Sequence, residues 1–321
     1  MNETVTPDAK RRGGRRERRD LRTRPDHAML PTLAGQLPLT EPMDQEQIER
    51  IDAASLDILE EVGVVFRDDI ALEDWRKAGA DVRGERVHLD RGLVKSLIKT
   101  IPSEITLHAR NPEKTVALGG RQSIFIPMTG APYLRDLEDV RRSPTLDDLA
   151  TFHKLAHMLP AMHSSAHHIV EPMDHPISHR HLRITHSSML YSDKTFMGMT
   201  TSGQNAEDVL DMCAILFGEE YLETHAVVTG NCNGNSPLVW DETMLSAMRA
   251  FNRRNQPVLC SPFVLGGANT PASTVPTVAQ LNAEALSALA YTQVIRPGCP
   301  AIYGHYLSCL LYTSDAADDL R

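Results

Sequence analysis

Six short apolar runs recur along the chain, starting near Ser123 (SIFIP), Ser164 (SSAHHIV), Thr195 (TFMGMT), Ala226 (AVVTGN), Val258 (VLCSP) and Ala301 (AIYG), at spacings of 41, 31, 31, 32 and 43 residues. Runs this brief and this apolar read as strands covered on both faces. Between them lie amphipathic stretches with helix signals: Thr145 ahead of Leu149, Phe152, Leu155 and Leu159; Asn205 ahead of Val209, Cys213 and Leu216, closed by Gly218; Asp241 ahead of Leu245, Met248 and Phe251. The clearest unit spans Gln256 to Tyr306. There a strand at Val258–Cys260 leads through a loop from Pro262 to Pro276 into a helix expected over Thr277–Ile295, which Pro297 and Gly298 stop before the next strand. That loop exceeds the usual connection of about 2 to 6 residues, and it lies at the C-terminal end of its strand, where α/β folds place their sites.

Strand-then-helix units of about 30 residues predict a parallel α/β architecture. With no GxGxxG after a first strand, the pattern favours a TIM (β/α)8-type barrel over a dinucleotide fold, and spacing alone also admits a flavodoxin-like sheet. Ahead of the barrel, Asp44 and Gln47 form a reciprocal cap for a helix carrying Ile48, Ile51, Ile58, Leu59 and Val62 on one face and ending at Gly63. Short strands then alternate with helices at Asp69–Ala78 and Arg91–Thr100. The predicted organisation is a basic, largely disordered arm over 1–42, a small α+β segment over 43–120, an incomplete barrel of about six of eight units over 121–306, and a tail over 307–321.

Charge changes the picture at one place. The net charge is −9 over 321 residues, yet Lys10–Arg24 carries nine Lys or Arg against Glu17 and Asp20, a local +7 that leaves −16 for the rest. This arm has too few apolar residues to bury a core, and no aromatic residue is interleaved as in a nucleic-acid surface, so it is expected to rest on an acidic surface of its own body or of a partner. Five cysteines without a CxxC pair fit a reduced, cytoplasmic protein. No apolar run approaches the roughly 18 residues of a membrane helix.

If the fold is a barrel, its mouth is built from Met128–Pro132, Glu171–Asp174, Thr200–Gly203, Gly230–Pro237, Phe263–Asn269 and Tyr303–His305. These segments are rich in Gly, Asn, Ser, Thr and Met, with Glu171 and Asp174 as their carboxylates, and they contain no serine elbow, P-loop or HExxH. Asn231–Pro237 (NCNGNSP) offers amides suited to orienting a small polar ligand. Seven histidines from His163 to His186 suggest a metal, but His167 and His168 should point to opposite faces, and His175, His179 and His181 read as the start of a solvated helix. No metal site is therefore assigned; a metal-dependent TIM-barrel hydrolase stays as an alternative.

Several pieces, in order and spacing, resemble the trimethylamine:corrinoid methyltransferase family, which includes glycine betaine and other quaternary-amine methyltransferases: GGRRERRDLR from Gly13, DAASLDILEEVGV from Asp52, KAGADVRGERVHL from Lys77, IPSEITLHARNPEKTVALGG from Ile101, NGNSPL from Asn233 and TQVIRPGCPAIYG from Thr292. The resemblance implies a TIM barrel that presents the methyl group of a methylated amine to the Co(I) corrinoid of a separate partner protein, with no cofactor held permanently by this chain. Cobalt is then the nucleophile, and the mouth needs only to hold the methyl group in line and assist the departing amine. On that basis the substrate-binding candidates are Glu171, Asn231, Asn233, Ser236, Phe263, Gly267, Ala268 and Tyr303, with Tyr303, Phe263 and Glu171 placed to hold an ammonium group. Catalytic residues are left unassigned and homo-oligomerisation is left open. The founding trimethylamine enzymes carry pyrrolysine in a segment beyond the YG strand that this chain does not reach. Leu307–Arg321 (LSCLLYTSDAADDLR) departs from the family and reads as an artificial terminus, so an inactive truncated fragment or a non-catalytic binding protein is the alternative.

Overall fold

A computed structural model describes residues 28–36, 38 and 40–310. The basic run Lys10–Arg24 and the tail beyond 310 lie outside the described residues. The strands Phe196–Gly198, Val228–Cys232, Val258–Cys260 and Ala301–Tyr303 form one parallel sheet in that order. Parallel bridges extend the order on one side, Ser164 to Thr195 and Ala131 to Val170. All six apolar runs are thus brought side by side, and the neighbours from Ser164 to Tyr303 are parallel. The first run departs in part: Gln122–Ser123 pairs antiparallel with Leu33–Ala34 and with Gly119 before the chain reaches the barrel. Gly119 and Gly120, both at positive φ, make the tight turn that sends this stretch back along its own predecessor.

The helices Leu146–Met158, Ile177–Tyr191, Gly203–Phe217, Glu242–Arg253 and Thr274–Ile295 separate these strands. Thr145 and Asp148 form a reciprocal cap on the first. The Gly203 helix is capped by Ser202, whose hydroxyl accepts from Asn205 N at 3.0 Å, so Asn205 lies inside the helix and not at its cap. The Thr274 helix begins three residues before the predicted Thr277. Pro276 stops no helix there, because in a first turn its missing N–H has no intrahelical partner to lose.

The N-terminal segment begins with the predicted cap: Gln47 N donates to Asp44 Oδ1 at 2.8 Å and Asp44 N to Gln47 Oε1 at 3.1 Å. Its sheet has the order Val239–Asp241, Val64–Arg67, Arg86–His88, Asp81–Arg83. The outer strand of that sheet comes from the barrel, from the excursion that follows the Val228 strand. Another sheet, antiparallel throughout and made of Leu33–Ala34, Gln122–Ser123, Val116–Gly119 and Glu104–Leu107, sits at the other end of the barrel strands, where Leu107 bridges to Ala226. Leu33–Ala34 gives this sheet a strand from within the arm that composition alone makes disordered. Leu107, Leu118, Ile124 and Ile126 meet Met197, Thr229, Leu259 and Ile302 around an apolar cavity of ≈ 170 Å³.

Candidate functional site at the barrel mouth

That cavity fixes which strand positions point inward. Met197, Thr229, Leu259 and Ile302 line it, so the same period-two face continues to Asn231, Ser261 and Gly304 at the C-terminal ends. A Cβ at Gly304 would lie 2.5 Å from Leu259 Cδ1, so any larger residue there would require the Leu259 side chain to shift. Beside it the buried Ser261 holds two amides, with its hydroxyl 2.6 Å from Asn231 Oδ1 and 2.8 Å from Asn233 Oδ1. A hydroxyl carries one hydrogen, so one carboxamide accepts it and the other must turn its NH2 to the Ser261 oxygen. The pair therefore offers the mouth both an amide donor and an amide acceptor. Thr200 Oγ1 donates to the carbonyl of Asn231 at 2.5 Å and fixes the backbone beneath it.

Above Ser261 the two strands continue. Phe263–Gly266 pairs in parallel with Tyr306–Cys309 in unbroken register with Cys260 and Tyr303, so the predicted loop Pro262–Pro276 opens with a strand. Val264 and Gly266 are buried towards the Thr274 helix, which leaves Phe263 and its direct partner Tyr306 on the inward side, both about half-exposed: 50% and 53%. Gly267 and Ala268 lie exposed at the tip of the following turn, closed by Ala268 N to Leu265 O at 2.9 Å and Gly267 N to Thr270 O at 3.1 Å. A Cβ on Gly267 would meet only Ala272 and the partly exposed Leu310, each at 3.9 Å, so the tip itself is open.

The remaining candidates sit elsewhere. Tyr303 has the parity of the outward-facing Cys232 and Cys260, and its hydroxyl donates to Asn282 Oδ1 on the Thr274 helix at 3.0 Å. Tyr306, one turn of the pleat further and unremarked in sequence, occupies the inward position instead. Ser236 turns away from Asn233 and donates to Glu284 Oε2. Glu171 is paired with Arg180 Nη1 at 2.8 Å, and its charge is already met. Among the described residues no hydrogen bond joins Glu171 to the Asn231, Ser261 and Asn233 group.

His163, His167 and His181 are buried among packed elements, whereas His179 and His186 are exposed. His153 bridges Ser187 Oγ at 3.0 Å and the carbonyl of His167 at 2.7 Å, and His181, buried and not on a solvated helix start, meets Asp208 Oδ2 at 2.8 Å. Burial holds His153, His167 and His168 below the ordinary imidazole range. Among the described residues no cluster of three His, Cys, Asp or Glu is arranged to hold a metal ion. Burial also pushes the thiols up, Cys232 to about 12 and Cys299 to about 11, so both stay protonated and are poor nucleophiles.

Among the described residues the mouth thus gathers amides, hydroxyls and small residues over an apolar chamber. Residues 11–317 match the trimethylamine methyltransferase (MTTB) family. The chain belongs to this family. Its match runs past Leu307, and Leu307, Ser308 and Cys309 pair with Val264, Leu265 and Gly266 as an ordered part of the mouth. Among its relatives, the glycine betaine methyltransferase of Desulfitobacterium hafniense is 40% identical over 269 residues, covering 84% of this chain and 56% of the relative. The proline betaine:corrinoid methyltransferase of Eubacterium limosum is 28% identical over 287 residues, covering 85% of this chain and 56% of the relative. The Methanosarcina barkeri monomethylamine methyltransferase (MtmB) shares the fold with a TM-score of 0.58 at 12% identity, over 85% of this chain and 56% of that one. The chain thus spans a little over half the length of the curated relatives it matches, and the fold is the TIM-barrel type. No helix among the described residues is long and apolar enough to cross a membrane.

Proposed function

We propose that the chain forms the ligand-binding part of a methyltransferase that takes a methyl group from a methylated amine, with a quaternary amine of the glycine betaine type as the best fit, and delivers it to a corrinoid carried by a partner protein. The observation that carries this reading is the carboxamide pair Asn231 and Asn233, held by Ser261 above an apolar chamber and beside Phe263 and Tyr306. A methylated ammonium group is bulky, cationic and without N–H donors once quaternary. It is held by aromatic faces and apolar walls, while a distal carboxylate takes amide donors. A Co(I) corrinoid on the partner would supply the nucleophile, and the amine would leave with the electron pair of the broken C–N bond. The chain's own residues then have two tasks: Phe263 and Tyr306 hold the ammonium end, and Asn231 and Asn233 set its orientation. Gly304, Gly267 and Ala268 keep the rim low. Membership of a family whose relatives are named for betaines and methylamines supports the same reading.

The test is calorimetric titration of the protein with glycine betaine, proline betaine, carnitine, trimethylamine and an equal-sized neutral amide, followed by cobalt absorbance on adding a Co(I) corrinoid protein. Saturable binding of a quaternary amine that Asn231→Leu abolishes is expected. Binding of none of the amines, or equal binding of the neutral amide, would overturn the proposal.

A further inference from the structure

Glu284 lies in the middle of the Thr274 helix and is 1% exposed. A carboxylate so deep is costly unless its oxygens are filled. Here they are filled by neutral donors, two from the loop after the Val228 strand and one from the helix itself. Ser236 Oγ donates to Oε2, Leu238 N to Oε1 at 3.0 Å, and Gln280 Nε2 to Oε1 at 2.9 Å. Leu238 has φ of 54°, a left-handed backbone that a leucine adopts only when its surroundings impose it. Gln280, Glu284, Ser287 and Tyr291 follow one another at helical spacing along a single face. Gln280 donates to the carbonyl of Asn269 at 3.2 Å, and Ser287 accepts from Trp240 Nε1 at 3.1 Å. Both groups at the top of this face therefore hold mouth loops, and Glu284 takes the loop that carries Asn233.

We infer that Glu284 is a positioning residue of the mouth: its carboxylate sets the path of Asn233–Leu238 and thereby keeps the Asn233 amide within reach of Ser261 and the ligand. This rests on the ligand site proposed above, and it adds a residue that touches no ligand. The chemistry distinguishes substitutions. In Glu284→Gln the retained oxygen still accepts from Leu238 N and Gln280, while the new NH2 faces Ser236, whose hydroxyl can turn to accept. Glu284→Ala leaves both loop donors without a partner.

The experiment compares Glu284→Gln, Glu284→Ala and Tyr291→Phe in the 321-residue protein by hydrogen exchange of the peptide spanning 231–240 and by titration with glycine betaine. Tyr291→Phe serves as the control, because it removes buried hydrogen bonds from the same helix to Arg249 and Asp74 and leaves the mouth loop alone. With two loop hydrogen bonds lost, exchange in Glu284→Ala should quicken roughly tenfold to hundredfold, and betaine affinity should fall at least fivefold. Glu284→Gln should restore both, and Tyr291→Phe should change neither although its melting temperature drops. Unchanged exchange at 231–240 in Glu284→Ala, or an equal loss in Tyr291→Phe, overturns the inference. If the wild-type protein binds no betaine while exchange follows the expected order, the ligand assignment fails and the anchoring role of Glu284 stands.

Discussion

The N-terminal segment and the barrel are joined by a buried ion pair whose removal has a calculable cost. Arg249 donates to both carboxylate oxygens of Asp68, at 2.8 Å and 2.6 Å, and Asp68 Oδ1 also caps its own helix by accepting Ala71 N at 2.7 Å. Both side chains are buried, at 7% and 3% exposure, and Arg249 makes a further bond of 3.1 Å to the Tyr291 hydroxyl. Asp68→Asn preserves the cap but leaves a guanidinium in the interior without its counter-charge, and Arg249→Met leaves the carboxylate likewise. Breaking one partner of such a pair costs about 3 to 5 kcal/mol, whereas replacing both with neutral groups of similar volume is close to neutral. Each single variant should therefore lose about 3 kcal/mol or more, and Asp68→Asn/Arg249→Met should recover to within about 1 kcal/mol of wild type. At about 2 to 4 °C per kcal/mol, each single variant should melt roughly 6 to 12 °C lower. Urea titrations of the four proteins measure the coupling directly. Single-variant losses that simply add in the double variant would show that the pair does not bridge the two parts as described.

Four further expectations follow from the same geometry. Tyr306→Ala should weaken binding of a quaternary amine by about 2-fold to 30-fold through loss of a cation–π face, while Tyr303→Phe, which loses only its Asn282 bond, should bind within about 2-fold of wild type; the reverse order by calorimetry would put Tyr303 back in the mouth. Lys194 Nζ donates to the carbonyls of Ala156, Leu159 and Met162 at 2.6 to 2.8 Å at the end of the Leu146 helix, so Lys194→Met should cost roughly 2 to 4 kcal/mol in urea unfolding, and a loss under about 0.5 kcal/mol would refute that anchoring role. Burial depresses the imidazoles of His153, His167 and His168, and for His167 the neighbours His168, His153 and His181 act in the same direction. The unfolded chain then takes up protons below about pH 6.5 that the folded chain refuses, so stability should be full above that pH and fall as the pH drops from about 6.5 to 5; a flat urea midpoint over this range would be the contrary result. Of the five cysteines, the buried Cys213, Cys232, Cys260 and Cys299 should resist a thiol reagent in the native protein while Cys309 reacts, and peptide mapping that finds Cys232 labelled first would contradict the burial.

The strands themselves were legible because the chemistry of a doubly covered strand is simple: Val258–Cys260 and Ala301–Tyr303 are apolar, short and followed by turn residues. That Asn231 and Asn233 lie at the C-terminal end of a strand was legible for the same kind of reason, since a turn-rich stretch follows its apolar run. Which of Tyr303 and Tyr306 faces inward was not, because alternation gives two equivalent faces until a neighbouring strand fixes the parity. Ser261 carried no signal beyond its place after Cys260, since its role depends on two amides about 30 positions away. Glu284 reads from sequence as an ordinary helix-forming residue among alanines and leucines, and only the loop that docks on it makes it polar interior. The arm was misjudged at Leu33–Ala34, whose pairing with Gln122–Ser123 depends on partners about 90 residues away that composition does not register.

The strand Val239–Asp241 leaves the barrel and completes a sheet whose other members all precede residue 90. A chimera cut near residue 120, the natural seam by sequence, would thus exchange the surface against which a mouth loop is laid while leaving every residue of the mouth unchanged. Variation accumulating in the first hundred residues can thus move the course of Asn233–Leu238 without changing a residue of the barrel. The unit that recombination has to keep together is the loop with its distant sheet.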